Sequence, residues 1–190
     1  MKKLIINADD LGADESRNAG IFEAVKSGIV TSVSILPNGP AFDDAIRRIK
    51  NLNSNKISCG VHINLSEGKP LMSNLNDLTG HDGLFHGKHS SIAIFSVNSK
   101  SSLEKAISME VDAQVERLMN AGITISHLDG HHHIHVFPAV IKTAIRAASK
   151  YKIPWIRIPE EQQPSFFKSD IRDEIASEAY IFSKFASEAR

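Results

Sequence analysis

Between Ser126 and Pro138 the chain reads Ser-His-Leu-Asp-Gly-His-His-His-Ile-His-Val-Phe-Pro, which sets His127, His131, His132, His133, His135 and Asp129 within nine positions and uses five of the nine histidines. Neutral imidazole is the commonest metal ligand in proteins and titrates nearest neutral pH, so a histidine cluster with its own carboxylate suits metal binding and proton transfer. The run is internal and is interrupted by Leu128, Gly130 and Ile134, which argues against a tag or a solvated surface tract. Two further places carry suitable groups. Asp9 and Asp10 stand side by side after the apolar run Leu4-Ile5-Ile6, and His62 lies near the far end of Ile57-Ser58-Cys59-Gly60-Val61-His62-Ile63. Alone, the aspartate pair reads as a turn and helix cap, and His62 as a structural histidine. Together, one aspartate and two histidines from separate strands form an open carboxylate–imidazole site that leaves positions for water and a substrate oxygen. Such a site suits metal-assisted hydrolysis, in which an ion polarises a carbonyl and lowers the pKa of water while a nearby carboxylate or histidine moves protons.

The elements that must position these groups alternate along the chain. Apolar, β-branched runs begin at Leu4, Thr31, Ile57, Ile123 and Ile153 and read as strands, that at Leu4 as one buried on both faces and ending at Asn7. Helices are expected over Ala13–Ser27 with Gly28 at its C-terminal end, from Ala41 to Ile49, and from Pro138 to Tyr151. A long helix to Ala121 is expected to open on a capping box, Ser101-x-x-Glu104, and to carry the stripe Leu103, Ile107, Val111, Val115 and Leu118. The tail Ser169–Arg190 reads as a further amphipathic helix. The order implies a mainly parallel α/β architecture, with Asp9, Asp10, His62, the histidine run and Arg157 at strand exits on one face. Residues 66–98, rich in glycine and carrying His81, His86 and His89, read as an irregular insertion that covers the site as a lid or serves as an oligomer contact.

At 190 residues the chain is expected to form a single domain. Its 22 basic and 22 acidic residues cancel without a basic block, so neither nucleic acid nor an anionic membrane is an expected partner. A lone cysteine, Cys59, permits no intrachain disulfide, and the N-terminal apolar run is too short for a signal peptide or a span; the expected setting is the cytoplasm.

The segments Asn7-Ala8-Asp9-Asp10-Leu11-Gly12, Gly28-Ile29-Val30-Thr31-Ser32, Gly60-Val61-His62, Gly68-Lys69-Pro70-Leu71 and the run from His127 to Pro138 resemble, in order, those of the YdjC-like carbohydrate deacetylases, including enzymes acting on chitooligosaccharides. The resemblance covers Leu4 to about Glu160. It implies a (β/α)-barrel-like fold, a divalent ion (magnesium, with zinc as the alternative) and removal of N-acetyl groups from a sugar or oligosaccharide. By position Asp10, His62 and His131 match the metal ligands and Asp9 the base. His133 and His135 are candidate catalytic groups, His127 and Arg157 candidate substrate contacts, and Asp129 is placed to orient a histidine. Arg157 could instead hold a catalytic carboxylate. A His-Pro-Gly motif of the family has no counterpart here.

Two other functions fit the same residues: a metal- or sugar-binding module without turnover, and a metal-dependent phosphoesterase. Five strand-and-helix units fall short of a closed eight-unit barrel, which takes about 250 residues. The expectation is therefore a barrel incomplete at its C-terminal end, as a shortened copy or with its edge covered by a helix or a second subunit, so that a homo-oligomer is a possible state.

Overall fold

The structure, a computed structural model, describes residues 4–52, 57–97 and 100–159. Four strands, β1 (Asn7–Leu11), β2 (Ser32–Ile35), β3 (Ser58–Ile63) and β4 (Ile125–Gly130), form a parallel sheet in sequential order. Parallel neighbours require crossovers, and helices supply them: α1 (Glu15–Lys26), α2 (Phe42–Lys50), then α3 (Lys88–Phe95) and α4 (Ser101–Asn120). A 3-10 turn over His131–Val136 leads from β4 to α5 (Ile141–Lys150). Beyond β4 a single parallel bridge, Leu128 to Ile156, marks a fifth strand position. This is the α/β architecture expected, and among the described residues β1 and β4 are not paired with each other.

The core lies between sheet and helices. Val33, Ile35, Val61, Ile63 and Leu128 are fully buried on the strands, and Ile107, Val111, Val115 and Leu118 of α4 pack in the same cluster. At about 1.5–3 kcal/mol for each fully buried aliphatic side chain, this stripe is what fixes α4 to the sheet. Helix α1 begins at Asp14, whose carboxylate accepts from the Arg17 amide, and ends before Gly28 at φ 81°. That left-handed turn is the C-terminal signal that glycine gives.

Several boundaries differ from the sequence reading. β1 starts where the apolar run stops: Leu4 and Ile5 are 79% and 75% exposed, and pairing to β2 begins at Asn7. β4 extends through Ser126–Gly130, because His127 and Asp129 pair with Gly60 and His62 of β3, so these polar residues belong to the strand and not to the turn after it. The capping box does not form; Lys100 is the N-cap of α4 and Ser101 its first residue, without a side-chain cap bond. The stretch read as irregular contains α3, anchored by buried Ser91 and Phe95. The helix expected over Ser169–Arg190 lies outside the described residues.

Candidate metal centre

Three strand ends deliver the donors. Between Ala8 and Leu11 the register of β1 slips against β2, where three steps along β1 match two along β2. The extra residue is absorbed by Asp10 at φ 65°, a left-handed conformation that aspartate tolerates better than most residues. This bulge turns Asp10 to the sheet's C-terminal edge. The turn is latched from behind: buried Asn18 accepts from the Gly12 amide at 2.7 Å and donates to Ala41 O and Asp44. Gly12 sits at φ 105°, where a side chain would be strained.

At that edge the Asp10 carboxylate lies 2.7 Å from His131 Nδ1 and 3.3 Å from His62 Nε2, and the two imidazoles stand edge to face with centroids 5.7 Å apart. Spacings of about 3 Å between donors are what one small cation at about 2.0–2.2 Å from each requires. Register places Asp129 directly across from His62, and its carboxylate takes His62 Nδ1–H at 2.7 Å. A carboxylate accepts only, so that bond keeps a proton on Nδ1 and leaves Nε2, which faces Asp10, as the nitrogen that would exchange its proton for an ion; this carboxylate–histidine arrangement is typical behind metal ligands. Asp129, wholly buried, also accepts from Ser34 Oγ at 2.8 Å. Ser34 in turn accepts from Asn7 Nδ2 at 2.8 Å. One polar string, Asn7–Ser34–Asp129–His62, thus crosses all four strands.

The charge balance of the cluster is negative. Burial alone would drive His62 neutral, yet Asp129, Asp10 and Asp9 outweigh it and push the imidazole up to about 9. Burial opposes the charge on Asp10, but His131 and His62 hold its carboxyl well below the usual range, and His62 with Ser34 does the same for Asp129. Three carboxylates around one imidazole make a place where a dication is the natural counter-charge. The donor set and spacing of Asp10, His62 and His131 therefore fit a divalent ion.

The other candidate residues surround this centre. Asp9 receives Arg157 at 3.0 and 3.1 Å from its two oxygens and Asn7 at 2.6 Å. It falls with His62 and Asp129 in a group whose donor atoms lie within 4.8 Å of one another. Arg157 spends its guanidinium on Asp9 and, at 3.5 Å, on Asp129, so here it holds carboxylates. His135 is fully buried behind the site; its Nε2 donates to Arg157 O at 2.7 Å, its Nδ1 has no partner among the described residues, and burial drives it down to about 4. Burial, and then the Arg157 cation, hold the His133 imidazole below its ordinary range. His127 approaches Ser34 Oγ at 3.1 Å and lines, with Asn7, Ser32, Ser58, Trp155 and Arg157, a half-open pocket of about 710 Å³ on the inner face of the sheet, toward the N-terminal ends of β2 and β3. Its ring occupies the space above Gly60, where a Cβ would collide with it. His132 and His133 adopt φ 53° in succession, an unusual pair outside glycine that bends the chain around the site.

Sequence reading missed Asn7, Ser34 and Glu67. Asn7 shares the period-2 face of Asp9, and Ser34 interrupts an apolar strand, which are the signals each carries. Glu67, from the loop after β3, sits 3.3 Å from His131 Nε2 and 3.8 Å from His132 Nε2.

A parallel α/β sheet with carboxylate and imidazole donors gathered at the C-terminal ends of its strands defines an α/β protein with a metal-competent centre. The chain belongs to the YdjC-like protein family, whose model matches residues 3–189. It is 37% identical over 152 residues to a "Carbohydrate deacetylase" of Halalkalibacterium halodurans, covering 80% of this chain and 62% of that one. It is 32% identical over 157 residues to a protein of the same name from Brevibacillus brevis, covering 83% and 59%. Among solved structures it is similar to a proposed cellobiose-phosphate cleavage protein of Enterococcus faecalis V583, with TM-score 0.71 and 28% identity over 100% of this chain and 66% of the other. The chain spans about three fifths of the length of these curated relatives.

Proposed function

We propose that this centre performs metal-dependent hydrolysis of the N-acetyl group of an amino sugar or oligosaccharide. The observation that carries the reading is the convergence of Asp10, His62 and His131 with His62 oriented by buried Asp129; the deacetylase names of the relatives supply the substrate class. Asp10, His62 and His131 are assigned as the ion's ligands. An ion held there supplies Lewis acidity to a carbonyl oxygen and acidity to water. The family resemblance points to magnesium, whereas two imidazoles and one carboxylate are the donors of zinc hydrolases and magnesium prefers oxygen; the donors favour zinc.

Asp9 is the proton acceptor for the attacking water. Arg157 and Asn7 hold its carboxylate in one orientation, so it meets water without first reorganising. His133 is the candidate donor of a proton to the sugar nitrogen as the C–N bond breaks, so that water's oxygen leaves in acetate and the sugar keeps a free amine. His127 is the candidate sugar contact, and His135 positions Arg157. No described helix is long and apolar enough to cross a membrane; with a single buried cysteine we place the protein in the cytoplasm.

Acetate release from diacetylchitobiose, measured with zinc or magnesium beside a chromogenic phosphate ester, tests the reading. Release that is lost with a chelator and in His62→Ala is expected. Turnover of the phosphate ester alone, or ion binding without turnover of either, would replace it with the phosphoesterase or binding-module reading.

A further inference from the structure

We propose that Glu67 is a positioning residue for His131, the counterpart of Asp129 for His62, and that helix α4 holds it there through two buried polar side chains. The proposal rests on the ion-site reading above. His131 turns Nδ1 to Asp10 at 2.7 Å and Nε2 to Glu67 Oε2 at 3.3 Å. When Nδ1 gives its lone pair to an ion, Nε2 carries the proton and needs an acceptor. Glu67 is the acceptor in reach. A carboxylate behind each imidazole raises its basicity and fixes its plane.

The loop that carries Glu67 is built for this. The Asn64 carboxamide oxygen accepts from the amides of Ser66 and Glu67 at 3.0 Å each, and its Nδ2 donates to Glu67 O at 2.8 Å, which folds residues 64–67 into a tight Asx turn. Asn64 is itself gripped by Gln114 of α4, which takes its N–H at 3.0 Å and reaches its C=O at 2.6 Å. One turn earlier Glu110 accepts Gln114 Nε2 and the amides of Leu71 and Met72, each at 2.9 Å. Glu110 and Gln114 are both fully buried, inside a stripe that is otherwise apolar. Polar groups are costly there unless every partner is met, and the partners they meet are the backbone of residues 64–72. Helix packing thus sets where Glu67 stands. Ser66 adds a contact from the same turn, its Oγ 3.1 Å from His132 Nδ1.

The test is calorimetric ion binding, with zinc and with manganese, to the full chain and to Glu67→Ala and Glu67→Gln. Glu67 is half exposed, so both variants should keep the parent's thermal midpoint. Affinity in Glu67→Ala should fall about 10- to 100-fold at unchanged stoichiometry, while Glu67→Gln, whose amide oxygen still accepts, should recover most of it. Equal affinity in parent and Glu67→Ala would overturn the assignment while leaving the ion site standing. A loss of one bound ion per chain would overturn it too, since Glu67 would then be a ligand of a second ion with His131 and His132. A parent chain that binds neither ion would overturn the site reading itself.

Discussion

The two histidines that face Asp10 are held in opposite ways. His62 sits in mid-sheet, its supporting carboxylate one strand away, fully buried and tied to Ser34. His131 stands just before the left-handed pair His132 and His133, and the carboxylate behind it comes from a loop and is half exposed. The difference teaches that one half of the centre is fixed by the fold's hydrogen-bonded register, while the other half closes on it through a turn held from outside the sheet, by α4 and by Asn38. Removing the strand-side carboxylate should therefore damage the fold, and removing the loop-side carboxylate, Glu67, should damage only ion binding.

The sharpest way to break that contrast is Asp129→Ala. It strips His62 and Ser34 of a buried acceptor, and loss of one partner from a buried charged network costs about 3–5 kcal/mol. Urea unfolding should show that loss, against less than about 0.5 kcal/mol for Glu67→Ala, as expected of an exposed side chain. Comparable losses would mean the two halves are equally structural. Next in size, Asp9→Asn should bind zinc as the parent does and release acetate about 100-fold more slowly or worse, the usual worth of a general base. Unchanged turnover would remove Asp9 from the chemistry.

A smaller effect sharpens the loop side. Gln114→Leu leaves Asn64 N–H and C=O without buried partners and should cost about 1–3 kcal/mol. Amide exchange at Ser66 and Glu67 should quicken, whereas exchange in β3 before Asn64 should not. The smallest concerns the latch behind Asp10. Asp44 is buried and its carboxyl is held below the ordinary range by Asn18, then by Arg48. A folded pKa depressed below the unfolded value of about 3.9 gives stability that is present above that pH and lost as pH falls through the folded pKa. Asp44→Asn should accordingly flatten the acid limb of the stability curve below about pH 4 and leave its slope near pH 7 unchanged.

Much of this was open to sequence reading because burial has a period. The stripe Leu103 to Leu118 and the alternation of apolar runs with helical ones define α4 and the sheet from sequence alone. The aspartate pair, His62 and the histidine run stood out by type and strand-end position, and the family resemblance singled out Asp10, His62 and His131 among them. What stayed hidden is set by partners distant in sequence. Leu4-Ile5-Ile6 looks like a buried strand, yet pairing with β2 decides where β1 begins and leaves Leu4 and Ile5 exposed. Glu110 and Gln114 look like ordinary polar positions on a helix, and only the packing of α4 over residues 64–72 gives them their work. Glu67 has no local signal beyond standing before Gly68-Lys69-Pro70.

The space above Gly60 has a consequence for how this sheet can be altered. Because the His127 ring fills the volume that a Cβ at position 60 would need, the two residues act as one unit shared between β3 and β4. Gly60→Ala by itself must expel the imidazole or spread the strands, whereas His127→Ala opens the very room the new methyl group requires. The paired substitution should be markedly less damaging than the sum of the single ones, with a coupling of about 0.5–3 kcal/mol, the range for residues that share a volume. Redesign of the inner face must therefore exchange both positions together.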